Sequence, residues 1–177
     1  MIQAIAIEEK HMWTYEKPDN LVEWWLESEK KFAANVLFRV RNSDSAIDTI
    51  TYGAIGTRIK NARGGLAKLG IEKNDAVGII AANRPEWAVL AFATYGRNAR
   101  YIPMYEKELV QTWKYIIKDS RIKFLLVSTP EVYEKVKHFK DEIESLENIY
   151  MVHPTKAYLV SWSPNILSLK NSLSLNP

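Results

Sequence analysis

Residues 76–87 read Ala-Val-Gly-Ile-Ile-Ala-Ala-Asn-Arg-Pro-Glu-Trp, and the join between the two halves of this stretch decides the fold. Ala76 to Ala82 is a short unbroken apolar run, as a strand covered on both faces requires. The residues that follow mark the start of a helix. Asn83 is a capping side chain, and Pro85 fits a first turn, where a missing N–H costs nothing. Glu86 stands three residues beyond Asn83, at the spacing of a capping box.

Downstream the alternation continues. Strand 76–82 is followed by helix 84–97, strand 100–104, helix 107–119, strand 122–128, helix 130–145 and strand 148–152. Thr129-Pro130-Glu131 supplies a cap, a first-turn proline and an acidic first turn. Short connections between such elements predict right-handed crossovers and a doubly wound parallel sheet with helices on both faces. Binding crevices in sheets of this kind lie at the carboxyl ends of the strands.

Upstream, Asn20 caps a helix that runs to about Ala34, with Glu23 in its third position and Leu21, Trp24 and Trp25 expected along one apolar side. The tandem tryptophans are read as packing this helix onto its own domain rather than as a membrane anchor or a docking surface. Val36–Val40 and Ala46–Tyr52 are two β-type runs joined by Asn42-Ser43-Asp44-Ser45, which predicts a hairpin. Thr51 then caps a helix that carries Ile55, Ile59, Ala62, Leu66 and Leu69 on one face and ends at Gly70. Gly64-Gly65 within it costs about 1 kcal/mol per glycine relative to alanine, which close packing against a neighbour would explain.

These stretches carry a family resemblance. Asn83-Arg84-Pro85-Glu86-Trp87, the segment from Tyr95-Gly96 to Tyr105, and the helix end Tyr115-Ile116-Ile117-Lys118-Asp119-Ser120 resemble the N-terminal part of AMP-forming long-chain acyl-CoA synthetases. Thr51-Tyr52-Gly53 with the helix after it resembles the first conserved block of that adenylating superfamily. The resemblance runs from about Trp13 to about Val152, and Pro103-Met104-Tyr105 after the Asn-Arg-Pro-Glu-Trp turn favours the long-chain branch. At Gly96-Arg97-Asn98-Ala99 the family usually has a second glycine or small residue before the alanine; here it is Asn98, which tolerates positive φ better than most residues.

The resemblance implies an α/β fold in which residues 1–152 are part of the large N-terminal AMP-binding domain of an adenylate-forming enzyme. It implies a ligase of fatty acid metabolism that joins a fatty acid to CoA with ATP and Mg²⁺ through an acyl-adenylate. In that family the ATP phosphates are held by a Thr-Ser-Gly-Thr-Thr-Gly-x-Pro-Lys-Gly loop. No such loop occurs in this sequence, and none of its seven glycines lies beyond Gly96. Backbone cannot come close to phosphates without glycine except at a steric cost. The family's acidic residue for the ribose and its C-terminal-domain lysine have no counterpart by motif here, so no catalytic residue is assigned. The chain is expected to be inactive alone and to hold ATP, Mg²⁺ and CoA weakly or not at all. Asn83 and Arg84 are the candidate cofactor-binding residues, because a strand's carboxyl end meeting a helix N-terminus is a natural anion position. The alternative is a non-catalytic α/β binding or interaction module that associates with a partner chain.

Composition narrows the rest. Apolar residues at 47%, charged residues at 25% and a dispersed net charge of +3 are ordinary for a globular domain and give no basic stripe for nucleic acid. The chain has no cysteine, which removes disulfides, thiolate metal sites and a cysteine nucleophile, and fits a reducing cytoplasm. His11, His138 and His153 are scattered without metal-ligand spacing, and Asp119 and Glu108 are explained by helix ends. The best apolar run, Trp87 to Gly96, is far short of the ~20 residues that span a bilayer, so any membrane contact is expected to be peripheral. The expected partners are the family's fatty acid substrate and a second copy of the chain, met through an exposed sheet surface. Residues 153–177, rich in Ser, Leu, Asn and Pro, have no clean period. Two expectations stand side by side for them: a disordered tail, or the product of a shifted reading frame.

Overall fold

In chain order the elements are α1 (Leu21–Phe32), β1 (Val36–Arg41), β2 (Ile47–Thr51), α2 (Tyr52–Lys68), β3 (Ala76–Ile80), α3 (Pro85–Tyr95), β4 (Arg100–Met104), α4 (Val110–Asp119), β5 (Ile122–Val127), α5 (Pro130–Val136), α6 (Phe139–Glu142) and β6 (Asn148–Met151). The structure is a computed structural model that describes residues 18–41 and 44–151. The expectations for residues 1–17, including Trp13 and His11, and for residues 152–177, including His153 and the tail, fall outside the described residues.

All five residues of β3 are buried. This strand pairs in parallel with β4 on one side and with β5 on the other, and β6 extends the sheet beyond β5, giving the order β4-β3-β5-β6. Successive side chains of a strand point to opposite faces, and each face of β3 has its own core. Val77 and Ile79 pack with Trp25, Ile55, Ile59, Leu66, Val89 and Leu90 from α1, α2 and α3. Ala76 and Ile80 pack with Trp113, Ile117, Val132, Val136 and Phe139 from α4, α5 and α6. The doubly wound parallel sheet with helices on both faces is therefore present. Antiparallel β1 and β2 form the separate N-terminal hairpin, and Leu37, Phe38 and Val40 lean on the first core.

Gly78 is a point of close approach in the second core. A Cβ there would lie 2.6 Å from Ile122 Cδ1 and 3.1 Å from Leu125 Cδ1. Gly64 is the opposite case: nothing lies within 4 Å of the position its Cβ would take, so close packing does not account for it.

Three further expectations are corrected. Trp24 and Trp25 do not share a side of α1. Trp25 is 6% exposed and has its ring centroid 5.9 Å from Tyr52 and 5.0 Å from Phe92, whereas Trp24 is 44% exposed and Leu21 55%. A helix turns about 100° per residue, so neighbours in sequence cannot face the same partner. The helix expected over 130–145 is two pieces, α5 and α6, with the break at Lys137-His138. Val132, Val136, Phe139 and Ile143 keep helical spacing across the break and are all buried, so periodicity alone does not register it. The β-type run 46–52 ends at Thr51, because Thr51 caps α2 and Tyr52 is already its first residue.

The turn between α3 and β4 uses its asparagine as the sequence suggests. Asn98 has φ +55° while Gly96 has φ −66°, so the left-handed position falls on the asparagine. The Asn98 N–H donates to Tyr95 O at 2.9 Å, and its carbonyl accepts from the Asn74 N–H at 3.0 Å.

Two stability outcomes follow, both read by thermal or denaturant unfolding. Asn98→Val is expected to be less stable than Asn98→Gly by about 1–2 kcal/mol, because a β-branched residue resists the left-handed region. Equal stabilities would show that the turn relaxes. Gly78→Ala is expected to cost about 1–3 kcal/mol by overpacking against Ile122 and Leu125, and no loss would mean that this face of the sheet has room.

Candidate functional site

The strand order reverses next to β3. The chain leaves β3 through α3 on one face of the sheet and leaves β5 through α5 on the other. The carboxyl ends of these two neighbouring strands therefore open into a crevice, which is where ligands of open α/β sheets are held. The last backbone ties of the sheet here are Ser128 N–H to Ile80 O at 3.0 Å and Ala81 N–H to Met104 O at 3.3 Å. Beyond them the strands part.

What fills the gap is a carboxylate. Glu106, just after β4, accepts at Oε2 from the Ala82 N–H at 3.1 Å and from the Ser128 hydroxyl at 3.3 Å. Ser128 is buried, so its hydroxyl needs such a partner.

The start of α3 differs from the expected capping box. The N-cap is Arg84, not Asn83, and no side chain closes the cap. Asn83 is exposed one residue further out. Arg84 is extended at φ −157° and its carbonyl accepts from the Trp87 N–H at 3.0 Å, so Pro85 takes the first helical position. Glu86, spaced to reach back to Asn83, instead accepts from Arg84 Nε at 2.8 Å. Its carboxylate is only 3% exposed, and a charge so buried requires a close partner. The same guanidinium reaches over the crevice, with Nη1 3.5 Å from Ser128 O. Across from it on α2, burial lowers the Arg58 pKa and the charge of Glu86 opposes that shift. Arg58 Nη1 is buried with no hydrogen-bond partner among the described residues. Trp87 lines the rim with 37% of its surface exposed. Its carbonyl accepts from the Tyr101 hydroxyl at 2.9 Å, and burial raises the pKa of that phenol well above its ordinary value, with Tyr95 adding to the effect.

The arrangement brings together Arg84, Arg58, Glu86, Glu106 and Ser128, with two cations set against two carboxylates. The charge of Arg84 is committed to Glu86, and the Ala82 N–H is committed to Glu106. A phosphate entering this crevice would have to displace Glu86 from Arg84 or Glu106 from Ala82, whereas Arg58 Nη1 has no hydrogen-bond partner among the described residues. Among the described residues no cluster of three His, Cys, Asp or Glu side chains suits a metal ion. His138 lies at the exposed break between α5 and α6, 3.6 Å from Glu142. Of the two candidate residues, Arg84 is at the crevice and Asn83 at its outer rim. Glu106, Ser128 and Arg58 were missed. Ser128 directly follows β5 and Glu106 follows β4 after Tyr105, but their meeting depends on the register of β3 with β4 and β5, which no local pattern carries.

Comparison with known proteins gives the family and the fold. Residues 26–168 match the AMP-binding enzyme family. A long-chain-fatty-acid–CoA ligase of Mus musculus is 25% identical over 169 residues, which is 93% of this chain and 25% of that protein. An anthranilate CoA ligase solved in complex with anthranoyl-AMP superposes with a TM-score of 0.65 at 18% identity, over 74% of this chain and 24% of its own. ATP-bound MatB from Rhodopseudomonas palustris superposes with a TM-score of 0.58 at 16% identity, over 75% of this chain and 25% of its own. At such identities the solved structures show the fold. The chain spans about a quarter of the length of the curated relatives it matches. With the family matched over most of its residues, the chain belongs to the AMP-binding enzymes.

Proposed function

We propose that the chain is the N-terminal part of an ATP-dependent long-chain fatty acid–CoA ligase, which converts fatty acid, ATP and CoA to acyl-CoA, AMP and pyrophosphate through an acyl-adenylate. The observation that carries this reading is the family match over residues 26–168, joined to the likeness to a long-chain-fatty-acid–CoA ligase over 93% of the chain. In this reading residues 1–152 are part of the AMP-binding domain and supply a sheet that backs the ligand sites. ATP, Mg²⁺ and CoA are held chiefly by segments that this sequence does not contain. Asn83 and Arg84 sit on the ligand-side rim of the completed site, where a phosphate has to compete with Glu86 for Arg84. The absence of cysteine fits a cytoplasmic enzyme, with membrane contact only at the periphery. Among the described residues β6 is an edge strand of the sheet, and its outer edge is the surface through which copies of the chain would associate.

The purified 177-residue chain is expected to form no acyl-CoA and no acyl-AMP above a protein-free control when given a long-chain fatty acid, ATP, Mg²⁺ and CoA, followed by mass spectrometry. Either product would overturn the inactivity. Sedimentation velocity is expected to show concentration-dependent association, and a monomer across the accessible range would remove the edge of β6 as a contact surface.

A further inference from the structure

The segment 105–109 joins β4 to α4 over the mouth of the crevice. It is poorly held by apolar burial: Tyr105 is 56% exposed and Leu109 71%, and Lys107 and Glu108 are exposed as well. Segments with few buried apolar contacts open at the low end of the stability range. Polar ties hold this one instead. The indole N–H of Trp113, a buried residue of α4, donates to Tyr105 O at 2.9 Å and fixes the start of the segment to the helix that follows it. Among the described residues, the hydrogen bonds from the segment to the strand ends beyond are those of Glu106. Its Oε2 meets Ala82, 24 residues away in sequence, and Ser128, 22 residues away. One carboxylate oxygen thus joins the carboxyl ends of β3, β4 and β5.

We propose that Glu106 is a latch: it straps segment 105–109 across the crevice, and its release opens the crevice as a local unit hinged at the Tyr105–Trp113 contact. The sheet does not depend on the latch. The bonds from Ser128 N–H to Ile80 O and from Ala81 N–H to Met104 O lie on the sheet side of it and close the strands without Glu106. Opening exposes the Ala82 N–H and the Ser128 hydroxyl on the side of the sheet where ligands of such folds are held. Glu106 is therefore a positioning residue. It governs access to the crevice and takes no part in chemistry.

Hydrogen exchange on the full chain, resolved by residue, tests this with Glu106→Ala and Glu106→Gln. Loss of the charge-assisted bonds in Glu106→Ala is expected to speed exchange at Ala82 and at Glu108, whose N–H donates to Tyr105 O at 3.3 Å, roughly ten- to a hundredfold, with Leu125 and Leu126 in β5 unchanged. Glu106→Gln, whose amide oxygen accepts from the same groups, is expected to stay within about tenfold of the native chain. Unchanged exchange at Ala82 in Glu106→Ala would overturn the latch. Equal acceleration at Leu125 and Leu126, or an alanine variant that does not fold, would also overturn it, because Glu106 would then support the whole domain. Acceleration as large in Glu106→Gln as in Glu106→Ala would overturn the role given to the accepting oxygen.

Discussion

β3 has neither a free face nor a free edge. Its five residues are buried, both of its hydrogen-bonding sides are taken by parallel neighbours, and each of its faces is the floor of a separate core. Such a strand can carry no charge, since a buried charge without a partner is costly. It also has little room, which Gly78 shows where Ile122 and Leu125 close over it. The three helices of one core and the three of the other are held in register only through this strand and its neighbours. The crevice is a consequence of the same arrangement, because α3 and α5 leave adjacent strands for opposite faces.

Charge around this sheet is partnered within the chain at both ends of the strands. At the amino ends of the strands basic side chains donate to carbonyls, Arg97 to Ile71 O at 2.9 and 3.0 Å, Arg100 to Asn74 O and Ser120 O at 3.1 Å, and Lys123 to Gly70 O at 2.8 Å. Asp75 there accepts from the Glu72 N–H at 2.8 Å and from Lys123 at 3.2 Å. These ties secure loops and the last turns of helices, where unpaired carbonyls collect. At the carboxyl ends carboxylates are spent on donors, Glu106 on Ala82 and Ser128, and Glu86 on Arg84. The crevice is built and positioned as in a ligand-binding α/β sheet, yet Arg84, the Ala82 N–H and the Ser128 hydroxyl are partnered from within. Among the site's described buried side-chain atoms only Arg58 Nη1 is left without a hydrogen-bond partner.

Much of the fold was legible because it is written locally. The apolar run at β3, the proline-led starts of α3 and α5, the cap at Thr51 and the asparagine at the left-handed turn each depend on residues within about one helical turn of one another. Local rules also fail locally. The spacing of Asn83 and Glu86 was right for a capping box, but a buried carboxylate beside Arg84 gains more from the guanidinium than from a backbone N–H, and the helix begins one residue later. The candidate site was half legible for the same reason. Arg84 could be placed from the strand–helix join. Glu106 and Ser128 could not, because they reach each other only after three strands have aligned, and the register of a parallel sheet is a tertiary fact.

The most direct test of the central role of β3 is equilibrium unfolding followed separately on the two faces of the sheet, using resonances of fluorinated tryptophan assigned to Trp25 and Trp113. Trp25 reports the core under α1, α2 and α3, and Trp113 the core under α4, α5 and α6. If β3 makes one cooperative unit of both, the two signals lose their native intensity at the same denaturant midpoint. Separate midpoints would show two cores that stand independently and would contradict the account.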